Sequence, residues 1–329
     1  MTAHLYPWNT KEQLDELKQY LLQFTPTTSQ LVGLFISDGL HKTTPISTIK
    51  IYCSHPDPLN TSDIVVWIFD TQKSIRLFVS TEVQLDKLSL TLEAQALARS
   101  KGDYTKALPR YFSDDEHEEL YQKSCEALEQ ILKNYDAQRK SDLESTLYHG
   151  INLLWAPVLH QVYKVGFQAP CFKYIKSAST HSPKQIELKS HLKITQVLQE
   201  DIDLIKSATS VDYELEYLKQ CAFISTAIKT NDKDEQLAGW VLTHRDMLVG
   251  ALQVLPNWRR QGLADILVQN ICTKYVEFFK ENLTEVALDK LYFVATVEAH
   301  NDASARLFEK MGWVHFGCGV TWLYCLPKN

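Results

Sequence analysis

The sequence predicts a mixed α/β fold: a mixed sheet with helices packed on its faces. Three observations predict it. The second half of the chain runs in the order strands, helix, strand, helix, strand, which a mixed sheet with helices on its faces accommodates. Its apolar residues switch between helical spacing and short apolar runs. The 329 residues are 45% hydrophobic and 22% charged, enough apolar side chain to offset the entropy of ordering about two domains.

In the first half, Leu14, Leu17, Leu21 and Leu22 recur at helical spacing, with Asn9 or Thr10 available as a cap. Four strand-like runs follow: Leu31 to Ile36, Thr48 to Cys53, Asp63 to Phe69 and Ile75 to Val79. Pro56, Pro58, Asn60 and Asp70 supply turn chemistry between them. Ser113-Asp114-Asp115-Glu116 opens a helix whose apolar face carries Leu120, Ala127, Leu128 and Leu132. The polar stretch from Phe172 to Leu188, with Ser177, Ser179, Ser182 and Pro183, reads as a linker. It divides the chain into an expected N-terminal domain, 1–180, and a C-terminal domain, 181–329.

The second half reads more clearly. Asp201 to Ala208 and Asp212 to Ile224 are helical, the latter through Leu215, Leu218 and Ala222. Gln236 to Leu242 and Met247 to Leu255 are strands joined by Thr243-His244-Arg245-Asp246. A helix from Leu263 to Phe279 carries Ile266, Leu267, Ile271, Tyr275 and Phe278 on one face. Leu291 to Val297 is a buried strand. Asn301 to Met311 is a helix capped by Asn301 or Asp302 and closed by Gly312. Val314 to Leu326 ends the chain as β structure.

Charge and cysteine use exclude several function classes. With 34 basic and 40 acidic side chains the net charge is -6, opposite in sign to that of a non-specific nucleic-acid binder. The seven cysteines are odd in number and form no C-x-x-C pair, which favours free thiols in a reducing compartment over disulfides or zinc. His149 and His160 lie eleven residues apart, a spacing of no common metal site, so no metal is expected. The N-terminus has no apolar secretory core and carries Glu12, Asp15 and Glu16. The weakly charged run Ser145 to Tyr163 contains His149, Asn152, Pro157, His160 and Gln161, too polar for a membrane span. A cytoplasmic protein without a nucleic-acid or membrane partner is expected; the sequence leaves its oligomeric state open.

The chemistry concentrates in Leu252-Gln-Val-Leu-Pro-Asn-Trp-Arg-Arg-Gln-Gly-Leu-Ala264. Pro256 ends a strand, and an arginine-rich turn enters a helix at Leu263. A helix start offers unpaired N–H groups and the positive end of its dipole. Gly262 lets a ligand approach the backbone, and Arg259 and Arg260 add forked donors suited to phosphate. Together they read as an anion site apt for a pyrophosphate. The segment is neither a dinucleotide fingerprint nor a P-loop, since it lacks both G-x-G-x-x-G and G-K-[ST].

With Val297-Glu-Ala-His-Asn-Asp-Ala-Ser-Ala-Arg-Leu-Phe-Glu-Lys-Met-Gly-Trp313 downstream, the region from about Leu237 onward resembles the GNAT superfamily of acyl-CoA-dependent N-acyltransferases. Val254, Pro256, Arg259, Gly262 and Ala264 match its V-x-P-x-x-R-x-x-G-x-G/A signature. Asn301, Leu307, Gly312 and, loosely, Trp313 match its N-x-x-A-x-x-L-Y-x-x-x-G-F pattern, with Ser304 and Phe308 as departures. The two-part layout and the wording L-P-x-W-R-x-Q-G-L make the whole chain most similar to the glycine N-acyltransferase-like group: a tandem GNAT-like fold with a degenerate first half and a complete second half.

The resemblance implies an enzyme, a transferase that moves an acetyl or larger acyl group from CoA to a primary amine of a small molecule or an amino acid such as glycine. Acyl-CoA and the amine are its implied partners. The resemblance assigns the pyrophosphate to Arg259, Arg260, Gln261, Gly262, Leu263 and Ala264. It lays the pantetheine arm along Leu252, Gln253 and Val254, with a backbone N–H near Val254 or Leu255 polarising the thioester carbonyl. Asn301 and Ser304 flank the arm. Phe308 stands where the family's acidic tyrosine is usual, and the strand positions near Leu248 and Gly250 hold no carboxylate. Asp246, His244, Glu298 and His300 are then the candidate bases, Asp246 otherwise reading as a solvated turn residue, and Tyr324 a remote acid. A water relay, a non-catalytic acyl-CoA-binding protein and a peptide N-acetyltransferase are the alternatives. Cys318 and Cys325 read as core thiols.

Overall fold

A computed structural model describes residues 4–38, 45–99, 104, 108–139, 145–183, 188–209 and 211–328. The first half contains β1 Tyr6–Pro7, α1 Lys11–Gln23, α2 Ser29–Ile36, β2 Lys50–Cys53, β3 Val66–Asp70, β4 Ser74–Val79, α3 Glu82–Leu85, α4 Leu92–Arg99 and α5 Asp115–Arg139. It continues with β5 Thr146–Asn152, α6 Ala156–Val162 and β6 Tyr163–Ser177. The second half contains β7 Leu192–Thr195, α7 Ile202–Ala208, α8 Leu215–Cys221, β8 Thr226–Thr230, β9 Leu237–Thr243, β10 Val249–Val254 and α9 Leu263–Asn282. It closes with β11 Tyr292–Glu298, α10 Asp302–Lys310, β12 Val314–His315 and β13 Val320–Pro327.

These elements build two sheets. The larger runs β1-β2-β3-β4-β5-β13-β6-β11, with β12 also on β6, and all its pairs are antiparallel except β4 with β5. The smaller runs β10-β9-β8-β7 and is antiparallel throughout. Strand alternation divides the apolar residues between two cores. On β3, Trp67 and Phe69 enter the core that also holds Leu21, Val32, Leu267, Ile271 and Phe293, while Val66 and Ile68 face Leu128, Leu132 and Trp155. The first of these cores therefore joins helices from both halves of the chain.

The halves also exchange strands. The start of β6 pairs with β13, the last strand of the chain, which in turn lies between β5 and β6. The end of β6 pairs with β11 along Cys171 to Ser177 and with β12 at Tyr174 and Ile175. This corrects the expected linker: residues 172–177 are interior sheet, and residues 184–187 of that stretch lie outside the described residues. Even the charged Lys173 in it is buried, with Nζ 3.2 Å from Asp86 Oδ2.

A second correction concerns Leu31 to Ile36, which is helix and not strand. Helix α2 is buried on nearly every side, so it has no polar stripe to reveal a period near 3.6. Most other elements fall within a few residues of expectation. Thr10 caps α1 in a capping box with Gln13, whose side-chain oxygen accepts from the Thr10 N–H.

No helix among the described residues is long and apolar enough to cross a membrane, and no group of three or more metal-ligating side chains occurs among them. All seven cysteines are free thiols. Burial pushes Cys325 up to about 12, and Cys318 is also raised well above its ordinary range, as expected of core thiols. His160 hydrogen-bonds Gln168 and stacks on Tyr104.

Candidate active site

The site begins where two edge strands part. β10 is the edge of the smaller sheet and β11 the edge of the larger one. A single parallel bridge, Leu248 to Val294, joins the chain just before β10 to the middle of β11. Beyond it the strands diverge into different sheets and leave a wedge between them.

β10 carries an irregularity beside that wedge. Gly250 pairs with Leu242 and Gln253 with Trp240, so three steps on β10 oppose two on β9. The extra residue is absorbed at Ala251, whose φ of 47° is left-handed, a geometry that non-glycine residues rarely adopt. Such a bulge turns backbone groups away from the ladder.

β10 ends at Val254, and Pro256–Trp258 form a 3₁₀ turn leading to α9. Gly262 is the N-cap of α9 with φ 76°, and no side chain caps the helix there. A Cβ added at Gly262 would meet no atom within 4 Å, so the space over this corner is open. The glycine thus serves a left-handed conformation at the mouth of a 20-residue helix. Arg260 is also left-handed, at φ 62°. Arg259 folds back, its Nε donating to the Val254 carbonyl at 3.0 Å, and Gln261 accepts from Lys189 Nζ at 2.9 Å. An open helix start with two arginines beside it is the geometry of an anion cradle.

The later motif frames the other side. The Asn301 side chain accepts from the Ser304 N–H at 3.1 Å, which makes Asn301 the cap of α10. Phe308 is buried between Tyr174, stacked at 22°, and Trp313, 4.8 Å away. It packs and has no proton to give.

The candidate bases fall into two places. Glu298 and His300 form a pair 3.2 Å apart at the exposed end of β11. Asp246 is buried, which corrects its reading as a solvated turn residue. Its Oδ2 lies 2.9 Å from Arg76 Nη1 on β4 and 3.5 Å from Gln30 Nε2 on α2. Burial alone would raise the Asp246 carboxyl, but Arg76, His149 and His244 hold it below the usual carboxylate range. The hairpin that carries it rests on α2: a Cβ at Gly33 would lie 2.0 Å from the Asp246 carbonyl oxygen, and the Ser37 hydroxyl hydrogen-bonds the Arg245 carbonyl.

His244 lies in the same hairpin as Asp246, at the end of β9. Its Nδ1 is 2.9 Å from the Tyr217 hydroxyl, and its ring stacks on Tyr217. Tyr213 packs beside it and lies close enough to both Asp246 and Glu298 to feel their charge; burial, with these neighbours, pushes its phenol up to about 12. Tyr213 and Tyr217 carry no sequence signal of their own, since only tertiary packing brings them to His244. Tyr324 lies on the part of β13 that pairs with Leu147 and Phe167, away from the β10–β11 wedge.

Comparison with known proteins agrees with this geometry. Residues 228–317 match the family described as FR47-like protein, a span that holds the bulge, the glycine corner and the Asn301 helix. No curated protein matches the sequence. Among solved structures, a Drosophila protein determined as a structural genomics target is 15% identical, covers 99% of both chains and superposes with a TM-score of 0.65, so it shares the fold over the full length. A tandem GNAT protein from the clavulanic acid biosynthesis pathway is 11% identical over 99% of both chains, with a TM-score of 0.48. A GNAT-family acetyltransferase from Colwellia psychrerythraea is 11% identical over 98% of this chain and 100% of its own, at 0.43. The last two superpose more loosely, and none of the matches singles out the glycine N-acyltransferase-like group.

Proposed function

We propose that the protein is an acyl-CoA-dependent N-acyltransferase with its cofactor site in the C-terminal half. The observation that carries this reading is the wedge between β10 and β11, ending at an uncapped helix start with a left-handed glycine. The amides of Gly262, Leu263 and Ala264, with Arg259, Arg260 and Gln261, would take the pyrophosphate. The free edge of β10 at Leu252, Gln253 and Val254 would pair with the pantetheine arm as an added strand. The turned backbone between the bulge and Leu255 would offer the N–H that polarises the thioester carbonyl. Asn301 and Ser304 lie at the start of the helix that flanks the arm.

In this reading the acceptor is a small primary amine, glycine among the candidates, reaching the wedge from the side where the first half packs. Arg76, Gln30 and His149 of that half lie around the Asp246 hairpin, so residues 1–180 would shape the acceptor side. Most of the acceleration would come from holding two substrates together and from the oxyanion contact. Phe308, which has no proton to give, and the missing strand carboxylate favour a second reading, an acyl-CoA-binding protein without turnover.

Thiol release from acetyl-, benzoyl- and longer acyl-CoAs, with and without glycine or a peptide, tests both. Amine-dependent release is the expected result. Tight acetyl-CoA binding without release to any amine would favour the second reading.

A further inference from the structure

The strand position just before the bulge, Gly250, has no side chain, yet its space is filled. A Cβ there would lie 2.2 Å from both Cδ2 and Nε2 of His244. The imidazole has moved into the volume that a side chain at Gly250 would occupy, directly beside the bulge. Resting on the acyltransferase reading above, we propose that His244 is the proton acceptor of the transfer, its ring supplied from the hairpin in place of a strand carboxylate.

The surroundings suit that role. When the Tyr217 oxygen accepts from Nδ1–H, the Nε2 lone pair is left on the Gly250 side, the tautomer a base requires. Stacking on Tyr217, with ring planes 16° apart, fixes the ring. The other ionisable neighbours are Tyr213 before α8, Cys221 on α8, Arg245 and Asp246 in the same hairpin, Arg76 on β4 and His149 on β5. Burial pushes the His244 imidazole below the usual histidine range; Asp246 opposes the shift and Arg76 adds to it. The ring is therefore neutral at pH 7. The rival carboxylates are less suited: Asp246 is held by Arg76, and Glu298 is paired with His300 at an exposed strand end.

The step balances without a further reactant. The neutral amine attacks the thioester carbonyl carbon, a C–N bond forms and the C–S bond breaks. The nitrogen loses one proton to His244 Nε2. The departing thiolate takes up a proton from the imidazolium, so CoA leaves as the thiol and His244 returns to neutral.

The test compares wild type with His244→Gln, which keeps the bulk, and His244→Ala, using acetyl-CoA with glycine and with a peptide amine. The wild-type kcat/KM should fall on the acid side with two ionisations, the amine's and His244's. Both variants should lose the second and drop kcat on the order of 100-fold, with acetyl-CoA affinity by calorimetry unchanged. Gly250→Glu in the His244→Ala background, which returns a carboxylate to the strand, should restore part of the rate. Turnover in either variant at the wild-type rate with both ionisations intact overturns the role of His244 alone. A wild type that binds acetyl-CoA but acylates neither acceptor overturns this role together with the transferase reading.

Discussion

Two glycines with opposite surroundings separate conformation from contact. Gly262 has φ 76° and open space around it, so Gly262→Ala should cost about 1 kcal/mol of stability through backbone strain alone. Gly33 is an ordinary helical residue pressed against the Asp246 carbonyl, so Gly33→Ala must lift the hairpin off α2. Its loss should be larger, about 3 kcal/mol, and urea denaturation of the two variants gives the ranking. Glu82 supplies a pH test. It accepts from Trp155 Nε1 at 2.7 Å and from the Val79 N–H at 2.9 Å, and burial pushes its carboxyl up to about 7. Its folded-state value exceeds its unfolded one. Its stabilising contribution is therefore fully present below about pH 4.5 and is lost as pH rises through about 7. Glu82→Gln should flatten the stability profile over that window; an unchanged profile would assign the slope to other groups.

Strand β6 is the element on which the architecture turns. Its residue Lys173 meets Asp86, whose carboxylate also accepts from Asn152 Nδ2 at 3.0 Å and from the Cys318 N–H at 3.0 Å. One buried carboxylate thus ties β5, β6 and the approach to β13. Lys173→Ala leaves that charge without its cation and should cost about 3–5 kcal/mol, measurable as a fall in the urea midpoint. The sequence disguised this element. Ser177, Ser179, Ser182 and Pro183 read as linker, and the partner that buries Lys173 lies 87 residues away, beyond any local pattern. Helix α2 was hidden for the converse reason, since uniform burial erases amphipathic spacing. The elements around the wedge were legible because Pro256, Gly262, Asn301 and Gly312 act locally on the backbone. The partners of Asp246 and the filling of Gly250 were not, since both are made by tertiary packing.

We propose that 1–180 and 181–329 are two GNAT-like units that complete each other by exchanging last strands. Each alone would present an unpaired sheet interior: the first without β13 between β5 and β6, the second with β13 and β11 stripped of β6. Fragments split at residue 180 should be insoluble or unfolded when expressed separately and should form a folded pair when co-expressed, as circular dichroism and gel filtration would show. Independent, cooperative unfolding of each fragment would contradict the exchange. Because the hairpin of the second half sits on α2 of the first, the pairing would also be required for the acceptor side of the site.

In the proposed function the corner from Arg259 to Ala264 cradles the diphosphate of a CoA thioester. Calorimetric titration of acetyl-CoA into wild type and into the Arg259→Glu, Gly262→Asp double variant tests it directly. Two added carboxylates at an anion site should weaken binding at least about 100-fold while the fold, followed by circular dichroism, persists. Equal affinity in the two proteins would contradict the assignment.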